Sequence, residues 1–160
     1  MTKWMLVLVV LLAGCRSSEQ KALDGYVAKV RSAQVHATRY TEARAKLQSW
    51  LDSPGEAAPP VDVVRAELLP AQKAYVEALE AIAPDDPAID GAHKALQRAE
   101  RRRLNGVFEV DGSLLPDIDA ARFRRNVAML VVSEAEADAE RKTWEAALGT
   151  LCADRKTVCP

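Results

Sequence analysis

Apolar residues in this chain recur at spacings of three and four over long stretches, the pattern of helices that bury one face. In the first such segment Leu23, Val27, Val30, Ala37, Tyr40, Leu47 and Leu51 form the stripe, with Lys, Arg, Gln and Glu between them. No Pro or Gly interrupts Tyr26 to Ser53, and Ser53-Pro54-Gly55 then stops the helix. Residues 54–60 (PGEAAPP) read as a Pro-rich loop. A second stripe follows: Val61, Val64, Leu68, Ala71, Tyr75, Leu79 and Ile82. Pro70 lies inside it; its ring clashes with the preceding turn and it lacks an N–H, which predicts a kink near Ala66–Pro70. Asp85-Asp86-Pro87 is a helix-start signature, with Asp86 as the cap and Pro87 at the first helical position.

The third helix carries Ile89, Ala92, Leu96, Ala99 and Leu104, and Asn105-Gly106 reads as its C-terminal stop. Residues 107–116 (VFEVDGSLLP) then read as a loop whose Phe108, Leu114 and Leu115 cover one end of the core. A fourth helix starts near Pro116 or Asp117, with Asp117 and Asp119 at its positive end. It runs to about Leu151 through Phe123, Val127, Leu130, Val131, Ala135, Trp144 and Leu148. Met129–Val132 is apolar around most of the helix, so that turn is expected to be the most buried. The sum is an all-α fold, an antiparallel bundle of about four helices with a kink near Pro70. No repeat at the spacing of helical arrays is present.

The front of the chain differs from all of this. Lys3 precedes an unbroken apolar run, Trp4–Ala13, of ten residues. A membrane span needs about 20, but ten suit the h-region of a secretory leader. The run ends in Leu12-Ala13-Gly14-Cys15, followed by polar Arg16-Ser17-Ser18-Glu19-Gln20. This resembles the lipobox of bacterial lipoproteins. The resemblance covers the leader alone. It implies cleavage before Cys15, a diacylglyceryl thioether on the sulfur and an acyl chain on the new amino group. Two or more acyl chains hold a protein firmly to a bilayer where one does not. The division expected is a lipoprotein signal peptide at 1–14, a tether at 15–22 and a helical-bundle domain at 23–160. In the commonest bacterial sorting rule an Asp after the Cys retains the protein in the inner membrane. Arg16 stands there instead, so the expected address is the outer membrane, facing the periplasm.

The mature chain would hold 21 basic and 23 acidic side chains. Such a balance offers no clustered positive field for nucleic acid. Aromatics are only 5 % and Ala occurs 28 times, a composition of packed helices. With Cys15 acylated, Cys152 and Cys159 remain, an even pair in an oxidising compartment. A disulfide between them would close a loop of about eight residues, worth roughly 2.5 kcal/mol in the chain-entropy model. The alternatives are a metal site or a redox dithiol, although no His lies near and redox pairs usually sit closer together.

Little else carries chemistry. His36 and His93 are the two histidines, and the nearest approach to a metal motif is Asp90-Gly91-Ala92-His93. Its simpler reading is a capping Asp and a partly exposed His. There is no Gly-x-Ser-x-Gly elbow and no Gly-rich phosphate loop. Glu134, Glu136, Asp138 and Glu140 split into Glu134/Asp138 and Glu136/Glu140 pairs on a helix and read as a solvated face. Arg101, Arg102 and Arg103, with Arg124 and Arg125, suggest an anion or partner patch if antiparallel packing brings both groups to one end of the bundle. Trp50 and Trp144 read as core.

The sequence therefore calls for no catalytic group, no metal and no cofactor. The mature pattern resembles small uncharacterised helical lipoproteins, a likeness that implies no mechanism. The expected role is a non-enzymatic scaffold, adaptor or accessory subunit of an envelope complex, with the membrane (through Cys15) and an envelope protein as partners. The alternative is a binding module or holdase for an acyl chain, a glycan or a peptide.

Overall fold

The computed structural model describes residues 16–53, 58–115 and 118–157. Cys15, the leader, Asp117 and Cys159 lie outside them. The described residues form an all-α bundle of four long segments: α1 (Ser18–Asp52), α2 (Leu69–Glu80) with a π-helical lead-in over Val63–Leu68, α3 (Pro87–Gly112) and α4 (Ala120–Asp154). Neighbouring helices run antiparallel. Gln72 of α2 meets Glu100 of α3, and Arg65 meets Asp111. Tyr26 of α1 meets Trp144 of α4, and Tyr40 meets Glu134.

Local chemistry accounts for the helix starts. Ser17 and Gln20 form a capping box, each side chain bonding the other's backbone N–H. Helix α1 thus begins at Ser18, and residues 18–22, expected as tether, are its first turn. Asp86 Oδ1 accepts from the N–H groups of Ala88 and Ile89, with Pro87 at the first helical position. Asp119 caps α4 through the N–H of Arg122.

The kink expected near Pro70 takes the form of the π turn. Pro70 has no N–H to give, and its ring crowds the carbonyl one turn earlier. The backbone widens just before it, so that Leu69 N–H reaches back five residues to Val64 O.

Three expectations are corrected. Helix α3 does not stop at Asn105-Gly106 but continues to Gly112. Gly106 is a contact point with α4: a Cβ placed on it would lie 2.6 Å from Ser133 Cβ. Only a glycine lets the two helices come this close. Residues 107–112 are therefore helix, with Val107 and Val110 buried, Phe108 exposed, and beyond them Leu114 buried and Leu115 exposed. Finally, Met129, Val131 and Val132 are exposed and only Leu130 of that turn is buried. A helix at the outside of a four-helix bundle cannot bury its whole circumference against neighbours on one side, however apolar the turn.

The interior is split across its length. One apolar core gathers Leu23, Tyr26, Val30, Tyr75, Leu79, Leu96, Trp144 and Leu148 near the end where α1 begins. A second gathers Tyr40, Leu47, Val64, Leu68, Val107, Phe123, Val127 and Leu130 near the other end. Between them lies a polar layer.

Candidate functional site

That layer is the most unusual chemistry in the described chain. Gln72 and Glu100 are completely buried and Arg103 nearly so. The stripe of α3 runs through Leu96 and Ala99 to Arg103 and Val107, which puts this guanidinium at a core position. Glu100 is held from three sides: Arg103 Nη1 at 2.6 Å, Gln72 Nε2 at 3.0 Å and Arg141 Nη1 at 3.2 Å. Arg103 also reaches Asp138 on α4. A buried carboxylate persists only where its charge is matched and its oxygens accept hydrogen bonds. Burial works against the charge on Arg103, but Glu100, Tyr40 and Asp138 raise its pKa above the ordinary guanidinium value.

At the α1 side of the layer, Tyr40 donates to Glu134, which also accepts from Arg44 Nε at 3.0 Å. Burial and the Glu134 carboxylate drive the Tyr40 phenol far above its usual pKa. Tyr75 is pushed up to about 12, by burial first and then by Glu100, against the pull of Arg141 and Arg103.

The layer opens into a cavity of about 220 Å³ bordered by Gln34, Tyr40, Gln72, Tyr75, Arg103 and Arg141. Two of its polar atoms, Gln72 Oε1 and Tyr75 Oη, are buried without a hydrogen-bond partner among the described residues. The amide orientation of Gln72 is determined by its surroundings, because its nitrogen meets two acceptors, Glu100 O and Glu100 Oε2. Leaving such a group unmatched costs about 1–3 kcal/mol. A wider groove of about 580 Å³ shares Gln34 and Arg141 with this cavity and adds Val30, Trp144 and Leu148.

The arginines expected to form an anion patch are not brought together. Because α3 extends to Gly112, Arg101, Arg102 and Arg103 stand in mid-bundle instead of at a helix end. All three meet carboxylates. Arg101 pairs with Glu80, Arg102 with Glu136 and Glu140, and Arg103 with Glu100 and Asp138. Glu136, Asp138 and Glu140 of the acidic run are partners in these pairs, and Glu134 bonds Arg44 and Tyr40 instead, so the run is a bonded face more than a solvated one. Arg124 lies at the end of the bundle where α1 finishes, 4.4 Å above the Trp50 ring and bonded to Leu51 O at 2.7 Å. Arg125 is exposed nearby.

His93, expected to be partly exposed, is fully buried. Its Nε2 lies 3.0 Å from Leu79 O and its Nδ1 3.3 Å from Tyr26 Oη. A neutral ring donating to Leu79 and accepting from Tyr26 satisfies both. Burial holds its pKa below the ordinary value, against Leu79 O and Asp90. Asp90 pairs with Lys94, and the capping role belongs to Asp86. His36 is half-buried on α1. No cluster of three or more His, Cys, Asp or Glu suited to a metal occurs among the described residues, and no helix there is long and apolar enough to cross a membrane. Trp144 is core, and Trp50 is half-buried, edge-on to Phe123. Cys152 is buried in the last turn of α4.

The polar layer escapes a reading that counts only apolar residues. Its one available signal is Glu100 and Arg103 standing where the α3 stripe should be apolar. No protein-family model, curated protein or solved structure matches this chain.

Proposed function

We propose that the chain is a lipid-anchored protein of the bacterial envelope whose bundle acts as a non-enzymatic scaffold or adaptor. The observation that carries this reading is the way α1 is mounted. Helix begins at Ser18, three residues after Cys15. Its first turn is clasped to the last turn of α4: Gln20 Nε2 donates to Arg155 O at 2.7 Å, and Arg155 Nη1 to Glu19 O at 3.3 Å. Arg155 also pairs with Asp86 at the start of α3, at 2.7 Å. Acyl chains on Cys15 would therefore hold a stiff bundle by one end with almost no slack. The 35-residue α1 would carry its other end about 50 Å away.

A disulfide between Cys152 and Cys159 belongs to this reading. Lys156 turns the chain back with a φ of 52°, and Thr157 N–H bonds Cys152 O at 2.9 Å. A cysteine two residues further on suits a bridge to the end of α4.

The test compares the full chain with Cys15→Ala in envelope fractions, with intact mass measured on the extracted protein. Membrane retention and a mass shift matching acylation, both lost in the variant, are expected. An unmodified Cys15 in soluble protein would overturn the anchor. Photo-cross-linkers at Asp52 and at Lys21 then test the scaffold: a specific envelope protein captured at Asp52, the far end, is expected.

A second reading, a ligand-binding module, is favoured by the unmatched Gln72 Oε1 and Tyr75 Oη in the cavity.

A further inference from the structure

We infer that the cavity between α1 and α4 binds an uncharged polyhydroxyl molecule of monosaccharide size; this rests on the ligand-binding reading. The formal charges bordering the cavity cancel: Arg103 and Arg141 stand against Glu134 and Asp138. Each of these is already engaged, Arg103 and Arg141 by Glu100, Asp138 by Arg103, and Glu134 by Arg44 and Tyr40. A charged ligand would find no spare counter-charge, and would be desolvated without compensation.

The hydrogen-bonding capacity left over is neutral: the amide oxygen of Gln72, an acceptor, and the O–H of Tyr75, a donor, with the Arg141 guanidinium standing beside its oxygen. Both side chains are buried, at 0 % and 1 % exposure, so neither hydroxyl nor amide can turn to bulk water. Adjacent hydroxyl groups on one small molecule match this pair. The volume of about 220 Å³ is that of about seven waters in the liquid, enough for a single sugar ring. The groove beyond Gln34 and Arg141 provides an apolar wall of Val30, Trp144 and Leu148 for the C–H face of a further unit.

The experiment places the full chain in phosphatidylcholine nanodiscs and titrates it with glucose, glucosamine and gluconate by ligand-detected NMR. Saturable glucose binding is expected, with the two charged analogues weaker by about tenfold or more. Tyr75→Phe and Gln72→Leu should each weaken glucose binding by about tenfold, the effect of one lost uncharged hydrogen bond. Tyr75→Phe should keep or raise the melting temperature, since it removes an unmatched polar atom, where a purely structural role predicts the opposite; Gln72→Leu also takes a donor from the buried Glu100 and should lower it. Charged analogues bound as tightly as glucose would overturn the inference and leave the ligand-binding reading in place. Unchanged glucose affinity in both variants would remove this cavity as the site. No saturable binding of any of the three would overturn the inference and leave the ligand-binding reading to an acyl chain or a peptide.

Discussion

Trp144 gives its indole N–H to the hydroxyl of Tyr26 at 3.0 Å, joining α4 to α1 inside the first core. The Tyr26 hydroxyl in turn points to His93 Nδ1, and His93 Nε2 to Leu79 O. One row of hydrogen bonds thus links all four helices. Burial pushes Tyr26 up to about 12, with the Trp144 N–H opposing, so the phenol stays a donor. Tyr26→Phe leaves a buried indole N–H and a buried imidazole nitrogen unmatched, and should cost about 1–3 kcal/mol. Adding Trp144→Phe should cost less than the sum of the two single changes, as measured by urea unfolding of all three variants.

Acid should weaken the fold through His93. Its folded pKa lies below the ordinary value, so the unfolded chain binds a proton that the native one refuses. The associated stability is complete at pH well above about 6.5, and is lost as pH falls below that value towards the lower native pKa. The slope contributed reaches about 1.4 kcal/mol per pH unit. Melting temperatures from pH 7.5 to 5 should fall more steeply for the wild type than for His93→Gln.

The ionic layer should be fragile to single changes and tolerant of concerted ones. Glu100→Leu leaves the buried Arg103 with Asp138 alone and takes a partner from Arg141, and should cost about 3–5 kcal/mol. Glu100→Leu with Arg103→Met removes both buried charges and should recover most of that loss, since Arg141 keeps Glu145. Denaturant midpoints of the two variants decide this.

Two glycines in α3 should respond in opposite directions. Gly91 is exposed and an added Cβ meets nothing within 4 Å, so Gly91→Ala should stabilise by about 0.5–1 kcal/mol. At Gly106 the same methyl runs into Ser133, and Gly106→Ala should destabilise by about 1–3 kcal/mol despite the better helix former. Thermal unfolding of the pair measures both signs.

These contrasts show what is legible along the chain. The stripe from Val61 to Ile82, the Asp86-Pro87 start and the disturbance at Pro70 are local features, and spacing and sterics reveal them. Gly106 reads as a helix stop because a glycine's preference is local; its contact, Ser133, lies on another helix. Arg101–Arg103 read as a helix end for the same reason, since their surroundings depend on where α3 finishes. The cavity is harder still. Gln72 and Tyr75 sit on one turn of α2, but their unmatched atoms acquire meaning only from Glu100 and Arg141 on two other helices. The apolar turn Met129–Val132 shows the converse, because composition reports how oily a turn is and not how many neighbours surround it.

The ionic layer divides the interior crosswise, and each half draws on every helix. Neither half is therefore a continuous piece of polypeptide. No proteolytic fragment or truncated version can keep one half intact, and cutting any connection withdraws a wall from both. Folding should accordingly be all-or-none, with a single cooperative transition in spite of two separate oily compartments.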